Sequence, residues 1–299
     1  MKHPIRRAVL FLLLWPAWAV VLCLPWPLAS ALGAAVGRLV YRLAPRERGY
    51  ALEHLRLAFG REKSPQEVER VARACFANVG RSTAELLCWP KLRLASLSRR
   101  LTVIGLEKLD RALREPGRGV VLLTAHLGNW EILGAYLGLL GYRGGVVARR
   151  LRYPEYERWQ VALRRRTHIE TFARDSSAKE LLRRLRDNQT IGILPDQDVD
   201  SVEGVFVEFF GRPAYTPTGP VLLAQATGAT LLPVFVIRAG RGFQIIFEDP
   251  VPLVATGDPR RDLQETTQRW SRLFEQYIRR YPEQWVWMHR RWKTQPAAP

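Results

Sequence analysis

The segment AHLGNWE, at positions 125–131, brings a histidine and a carboxylate together directly after the apolar run 120–124. Such a run predicts a buried strand, and open α/β sheets bind their ligands where the strands end. Neutral imidazole near pH 7 can remove the proton of a hydroxyl as that hydroxyl attacks a thioester. We therefore take His126 as a candidate general base.

The carboxylate of Glu131 is the candidate partner of His126, because a carboxylate on the second ring nitrogen fixes the tautomer and stabilises the protonated ring. Positions five apart lie about 140° around a regular helix, so His126 must precede the helix and Glu131 must lie in its first turns. Gly128 and Asn129, a flexible residue followed by a good N-cap, favour that arrangement. A loop histidine beside a glutamate that only stabilises a helix start would give the same pattern.

The elements that must position this segment alternate between strands and helices. Apolar runs predict strands over 101–104, 120–124, 145–148, 190–194, 205–210, 231–237 and 243–247. The expected fold class is α/β, with a mixed, mainly parallel sheet covered by helices. Two helices are expected over about 47–88, broken near Gly60 and restarted by a Ser64 cap. A last long helix, from about Arg260 to Tyr281, has an apolar face that core packing explains.

The beginning of the chain is apolar, with no charged residue from Ala8 to Gly37. We expect a hydrophobic membrane-anchoring helical leader over 1–45, then a catalytic domain over 46–299 that opens with a helical part over 46–100. The uncharged run exceeds the ~20 residues that span a bilayer, but prolines interrupt it, so a span, a hairpin and a monotopic anchor all remain open. A cleaved signal peptide is a further alternative.

The amino-acid composition limits the classes of binding partner that are expected. Forty-six Lys and Arg against 28 Asp and Glu give a net charge of +18, which favours an anionic partner such as an acidic carrier protein, a phosphate-bearing lipid or a membrane surface. Nucleic acid is not expected, because most tryptophans lie in the leader and the C-terminal segment and do not alternate with arginines. Three cysteines without a Cys-x-x-Cys pair favour a reducing compartment, and the five scattered histidines predict no metal site. No cofactor is expected.

The segment HLGNWE resembles the first block of the lysophospholipid acyltransferase superfamily, in the His-x-x-Asn-Trp-Glu form of the bacterial lipid A late acyltransferases, the lauroyl and myristoyl transferases. Later blocks of the chain resemble the same family in the same order. They are PDQD at 195–198, VFVEFFG at 205–211, TPTGP at 216–220 and PEQWVWMHRRWK at 282–293.

The resemblance implies transfer of a fatty acyl chain, from acyl carrier protein or acyl-CoA, to a hydroxyl of a membrane glycolipid such as a lipid A precursor. It places the enzyme at the cell inner membrane, with the catalytic domain on the cytoplasmic side. It also implies His126 and Glu131 as the catalytic pair. The expected substrate-binding residues are Asn129, Arg164, Arg165 and Asp196. Among the consecutive arginines 164–166, Arg165 is the best match to the family's arginine.

Other functions stay open at this point. An acyl-CoA-dependent acyltransferase for glycerophospholipid or another glycolipid would use the same base. No Gly-x-Ser-x-Gly nucleophile elbow is present, which argues against a covalent acyl-enzyme. A non-enzymatic basic protein that binds a membrane surface or nucleic acid is the remote alternative.

Overall fold

A computed structural model of the chain describes residues 18–151, 153–174 and 178–296. After a helical stretch over residues 18–23, three long helices follow: α1 (Trp26–Leu43), α2 (Pro45–Phe59) and α3 (Pro65–Leu87). The predicted break near Gly60 and the Ser64 cap are confirmed. Ser64 and Glu67 form a reciprocal capping box, in which each side chain accepts a hydrogen bond from the other residue's backbone N–H.

Helices α1 and α3 lie unusually close together because glycines face one another across the contact. A Cβ atom on Gly37 would lie 2.1 Å from the carbonyl oxygen of Phe76, and one on Gly80 would lie 2.1 Å from that of Gly33. Residues 1–17 of the predicted leader lie outside the described residues. Within 18–151, 153–174 and 178–296, no helix is both long and apolar enough to cross a membrane, so the anchor over 1–45 stays a prediction.

The remaining elements build an α/β layer structure, which confirms the predicted fold class. They are, in chain order, α4 (Leu94–Ser98), β1 (Leu101–Ile104), α5 (Leu106–Leu113), β2 (Val120–Leu123), α6 (Glu131–Leu139), β3 (Gly144–Ala148), α7 (Pro154–Arg165), β4 (Glu170–Ala173), α8 (Ala178–Arg186), β5 (Thr190–Ile193), β6 (Gly204–Phe209), β7 (Arg212–Pro217), α9 (Gly219–Thr227), β8 (Thr230–Ala239), β9 (Gly242–Phe247) and α10 (Pro259–Arg280). Short 3₁₀ turns lie at Trp89–Lys91 and Pro282–Gln284.

Seven strands form the main sheet in the order β1-β9-β8-β2-β5-β3-β4. Every neighbouring pair is parallel except β8 with β9, which is a hairpin. The predicted strands all exist, but β6 pairs only with β7, in a separate antiparallel ribbon. Strands β4 and β7 were not predicted: β4 is a short edge strand, and Pro213 and Pro217 argue against a strand, although an edge ribbon tolerates them.

Strand β2 runs through the middle of the core, and all four of its residues are buried. Val121 and Leu123 pack into the apolar cluster that contains α10, whereas Val120 and Leu122 pack into the cluster on the opposite face with α6. The predicted apolar stripe of the last helix is confirmed, with Trp270 among its buried residues. Buried on both faces, β2 holds its carboxyl end rigidly, and the 125–131 segment starts there.

Candidate active site

The carboxyl ends of β2 and β5 lie side by side, and a polar residue of the site follows each strand. Leu123 pairs with Ile193 in the parallel register, so His126 and Asp196 each follow at the same distance along their chains. The His126 Nδ1 atom lies 2.8 Å from Asp196 Oδ1, and the backbone N–H of His126 donates to Asp196 Oδ2 at 2.8 Å. The aspartate therefore fixes both the backbone and the ring of the histidine.

The carboxylate of Asp196 is buried, with 1 % of its side chain exposed. Burial alone raises its pKa. The neighbouring His126 imidazole and hydrogen bonds from His126 and Trp285 nevertheless hold the pKa at about 2. An ionised carboxylate only accepts hydrogen bonds, so the proton shared with His126 must sit on Nδ1. Nε2 then carries no proton, so its lone pair can accept one, and 21 % of the His126 side chain is exposed.

Glu131 does not contact the imidazole, which corrects the contact predicted from the sequence. Its carboxylate accepts two hydrogen bonds from Arg164, from Nη2 at 2.6 Å and from Nε at 3.1 Å. The physical reason is the strand order: the β2–β5 pairing brings Asp196 to the ring, while Glu131 opens α6 and faces α7. The position of Glu131 in the first turn of a helix was predicted correctly.

Of the three consecutive arginines, only Arg164 is buried, at 6 % exposure, whereas Arg165 and Arg166 are exposed. Helix α7 ends at Arg165, and its inward face carries Arg164 to the Glu131 carboxylate. The choice of Arg165 as the family's arginine therefore does not agree with the direction of the side chains. Any role of Arg164 or Arg165 in substrate binding stays a prediction.

The predicted N-cap role of Asn129 is wrong. Helix α6 begins at Glu131 with Trp130 as its N-cap residue, and no side chain caps it. Asn129 is buried, and its amide donates a 2.7 Å hydrogen bond to Glu85 Oε2 on α3. Asn129 thus ties the loop to the helix behind it.

Behind the loop lies a buried polar cluster that the sequence analysis missed. Arg238 donates to both carboxylate oxygens of Glu85, at 2.7 and 3.0 Å, and to the Asn78 side-chain oxygen at 3.0 Å. Asn78 and Ser82 both donate to the carbonyl oxygen of Gly128. The lone acid of an otherwise apolar stretch, TAELLC at 83–88, was the one sequence signal for this cluster.

Gly128 lets the loop fit into this space. Its φ of +61° is a left-handed conformation, and a Cβ atom there would lie 1.9 Å from the carbonyl oxygen of Val236. The C-terminal block holds the other side: the backbone N–H of Gly128 donates to Gln284, and that of Val286 donates to His126. The 282–293 block is therefore part of the framework of the loop.

Two further side chains surround the His126 ring. The Gln197 amide nitrogen lies 3.1 Å from His126 Nε2 and 2.6 Å from His289 Nε2, within donating distance of both. Burial, followed by the nearby His126 ring, lowers the pKa of His289 to about 4, so His289 is neutral at pH 7. Trp130 packs edge-on against His126, with ring centroids 5.0 Å apart.

The ring of His126 opens into a cavity of about 730 Å³. Its walls come from the carboxyl halves of β2, β3 and β5 and from helices α6 to α9, and they are mostly apolar, including Leu122, Val146 and Ile193. The Glu131–Arg164 pair lies in the same cavity. Such a cavity suits a long apolar ligand with a polar reacting group at His126.

Comparisons with known proteins point to one class of enzyme. A family model described as bacterial lipid A biosynthesis acyltransferase matches residues 2–294. The lipid A biosynthesis lauroyltransferase of Escherichia coli (strain K12) is 30 % identical over 289 residues, which are 94 % of this chain and 90 % of that protein.

Two other relatives extend the range of named acceptors. A phosphatidylinositol mannoside acyltransferase of Mycobacterium tuberculosis (strain CDC 1551 / Oshkosh) is 32 % identical over 73 % of this chain and 69 % of its own length. The lipid A biosynthesis palmitoleoyltransferase of Escherichia coli (strain K12) is 26 % identical over 92 % of this chain and 88 % of its own length.

The chain is thus an acyltransferase, since the family model that matches it and its named relatives are acyltransferases. It belongs to the bacterial lipid A biosynthesis acyltransferase family, whose model covers nearly the whole sequence.

Proposed function

We propose that this protein transfers a fatty acyl chain from a thioester of acyl carrier protein or coenzyme A to a hydroxyl of a lipid A precursor or a related glycolipid. The observation that carries the proposal is the His126–Asp196 pair at the wall of a large apolar cavity. The family and its named relatives support a glycolipid acceptor.

In this proposal His126 is the general base. Its Nε2 atom takes the proton of the acceptor hydroxyl while the hydroxyl oxygen bonds to the thioester carbonyl carbon. The carbon–sulfur bond then breaks, and the proton passes from Nε2 to the departing thiolate. Asp196, buried and ionised, stabilises the imidazolium formed between these steps and keeps Nδ1 protonated.

Arg164 is the group that would meet negative charge on the thioester oxygen, and Glu131 would hold it in place. The two side chains are 8 % and 14 % exposed, so their bidentate contact is largely shielded from water. Both line the cavity that contains His126. Glu131 thus keeps a place in the mechanism as a positioning residue for Arg164, while Asp196 is the partner of the imidazole.

The apolar wall would bind the acyl chain of the donor. Each buried methylene contributes about 0.8 kcal/mol, so ten of them contribute about 8 kcal/mol. Two features in the cavity, an acyl-binding wall and a reacting end at His126, suit a lipid thioester better than a small polar substrate. We place the enzyme at the inner membrane, with this site on the cytoplasmic side.

Reconstituted transfer tests the proposal. The purified full chain is incubated with a glycolipid acceptor and a labelled acyl chain carried by either acyl carrier protein or coenzyme A. Labelled glycolipid is then measured. Label should reach the acceptor from one or both donors, and His126→Ala should abolish it. Mass spectrometry of membrane lipids after deletion of the gene would name the acceptor and the chain length. Absence of transfer from both donors to lipid A-type and mannoside acceptors would contradict the proposal.

A further inference from the structure

A second large cavity, of about 930 Å³, lies on the other side of the 125–130 loop, among α1, α2, α3 and the β8–β9 turn. Seven arginines and two glutamates line it. They are Arg38, Arg42, Arg48, Arg70, Arg73, Arg81, Arg238, Glu69 and Glu283. One glutamate, Glu69, is paired with Arg73 at the rim. His126 does not line this cavity, so the excess positive charge belongs to a different site.

One arginine in this cavity has unusual surroundings. The Nε atom of Arg81 is buried and has no hydrogen-bond partner among the described residues. Burial and the neighbouring charges of Arg238 and Arg38 lower the pKa of the Arg81 guanidinium. Like charges held together around an unsatisfied N–H are costly unless an anion lies between them.

The geometry points to phosphate as the anion. Guanidinium groups present paired N–H donors that match phosphate oxygens, and several from different helices can surround one phosphate group. Arg38 and Arg42 come from one turn of α1, Arg70 and Arg81 come from α3, and Arg238 comes from β8. Exposed Arg38, Arg42 and Arg70 line the entrance, and Arg238 closes the inner end against Glu85.

The surroundings of the cavity indicate that the phosphate belongs to a lipid. An apolar groove of about 640 Å³ lies on the opposite side of the α1–α3 contact and includes Leu32, Val36 and Val40 of α1. Leu39 and Leu43, beside Arg38 and Arg42 on α1, are 51 % and 71 % exposed. One helix therefore offers cations on one side and uncovered apolar side chains on the other, which is how amphipathic helices lie in a lipid surface.

We propose that this arginine-lined cavity binds the phosphate headgroup of an anionic membrane lipid, with the exposed apolar side chains of α1 lying against the acyl chains of the membrane. This goes beyond the proposed acyl transfer and does not depend on it. The site would seat the enzyme on its membrane through one lipid at a time, because the phosphate lies in a concave pocket and not on a flat charged surface.

The test compares two variants that lose the same charge. The pocket variant is Arg38→Gln/Arg42→Gln/Arg70→Gln. The control variant is Arg114→Gln/Arg260→Gln/Arg272→Gln, three exposed arginines outside both cavities. Sedimentation of the full chain is measured with phosphatidylcholine vesicles, with and without phosphatidic acid, and thermal melting confirms folding.

The pocket variant should lose affinity for phosphatidic acid vesicles by on the order of 100-fold, and the control variant by less than about tenfold, since each arginine near a lipid surface contributes about a factor of five. Both should melt close to the parent, because the substituted side chains are exposed. If the pocket variant does not fold, Arg42→Gln alone should still weaken binding about fivefold, against no loss for Arg272→Gln.

Three results would overturn the proposal. Equal losses in the two variants would show a general charge effect. Unchanged vesicle binding together with lost binding of an acidic carrier protein would make the cavity a protein-docking site. Stabilisation of the parent by inorganic phosphate at constant ionic strength, without any vesicle preference for the intact cavity, would identify a soluble phosphate compound as the ligand.

Discussion

The two faces of the 125–130 loop differ in how their charges are arranged. On the front face, His126 and Arg164 each have a carboxylate partner inside a mostly apolar cavity of about 730 Å³. On the back face, seven arginines and only two glutamates surround a cavity of about 930 Å³. Between them, Glu85 accepts a hydrogen bond from Asn129 of the loop and is itself held by Arg238.

This difference in charge arrangement indicates different roles for the two faces. The front is arranged for chemistry, because each ionisable group is held in one orientation by a buried partner. The back combines a structural support, the Glu85–Arg238 pair, with an excess of cations at its entrance that the described residues do not neutralise. Variants of His126 should therefore change turnover with little effect on stability, whereas variants of the buried Glu85–Arg238 support should change both stability and turnover.

His126→Ala should have the largest effect, a loss of about 10²–10⁴ in turnover, because a positioned general base contributes that much. Steady-state acyl transfer measures the loss, and melting should be close to that of the parent. His168→Asn is the control: His168 is exposed with φ +61°, a conformation that asparagine tolerates. Near-normal turnover of His126→Ala would remove the base assignment.

Arg164→Ala and Arg165→Ala sharpen the account of the front face. Arg164→Ala should lower turnover by raising the activation free energy by about 2–4 kcal/mol. The reason is that the Arg164 guanidinium lies in the cavity, hydrogen-bonded to Glu131. Arg165→Ala, one residue further and exposed, should retain most of the activity of the parent. The opposite order of effects would mean that the family's arginine is Arg165, as the sequence alone suggested.

Glu85→Gln tests the support behind the loop. The Glu85 side chain is 1 % exposed, and removing its charge leaves the Arg238 guanidinium buried without its carboxylate, which costs about 3–5 kcal/mol of stability. Chemical denaturation measures the loss, and turnover should fall with it. Glu62→Gln, which breaks an exposed pair with Arg279, should cost at most about 1 kcal/mol. Equal costs for the two variants would show that the buried pair does not hold the loop.

A further effect appears only below about pH 6.5 and concerns His289. The pKa of His289 is about 4 in the folded protein, because of burial and the His126 ring, and about 6.5 when unfolded. Between these values the unfolded chain binds more protons, so the free energy of unfolding must fall as pH drops from about 6.5 to about 4. His289→Gln should flatten this dependence, measured by denaturant titrations across that range, and His168→Asn should leave it unchanged. An identical slope in His289→Gln would contradict the assignment.

Much of the fold could be predicted from the sequence, because apolar runs mark buried strands directly. The strands over 101–104 and 120–124 were placed to within one residue, and the helix break at Gly60 followed from local turn and cap chemistry. Strand β7 could not be predicted, because its two prolines argue against a strand and only the β6 partner makes one. Strand order, which depends on packing, is not written in any local pattern.

Only part of the site could be predicted, because local patterns show where a strand ends but not which strands are neighbours. His126 could be found because its segment follows a buried strand, whereas Asp196 was expected from the resemblance of its block to the family. Their pairing depends on β2 lying next to β5, which no spacing within 125–131 reveals. Glu85 was missed because a carboxylate on a helix looks solvated until its partner, far along the chain on β8, is known.

Asp196, and not Glu131, holds the imidazole of His126. Nitrogen-15 NMR of histidine-labelled protein near pH 7 reports which ring nitrogen of His126 carries the proton, with His126→Ala to assign the signals. Because Asp196 accepts the Nδ1 proton, we expect the Nδ1–H tautomer in the parent and in Glu131→Gln. In Asp196→Asn we expect the preference for that tautomer to be lost. A tautomer that changes in Glu131→Gln and persists in Asp196→Asn would contradict this role of Asp196.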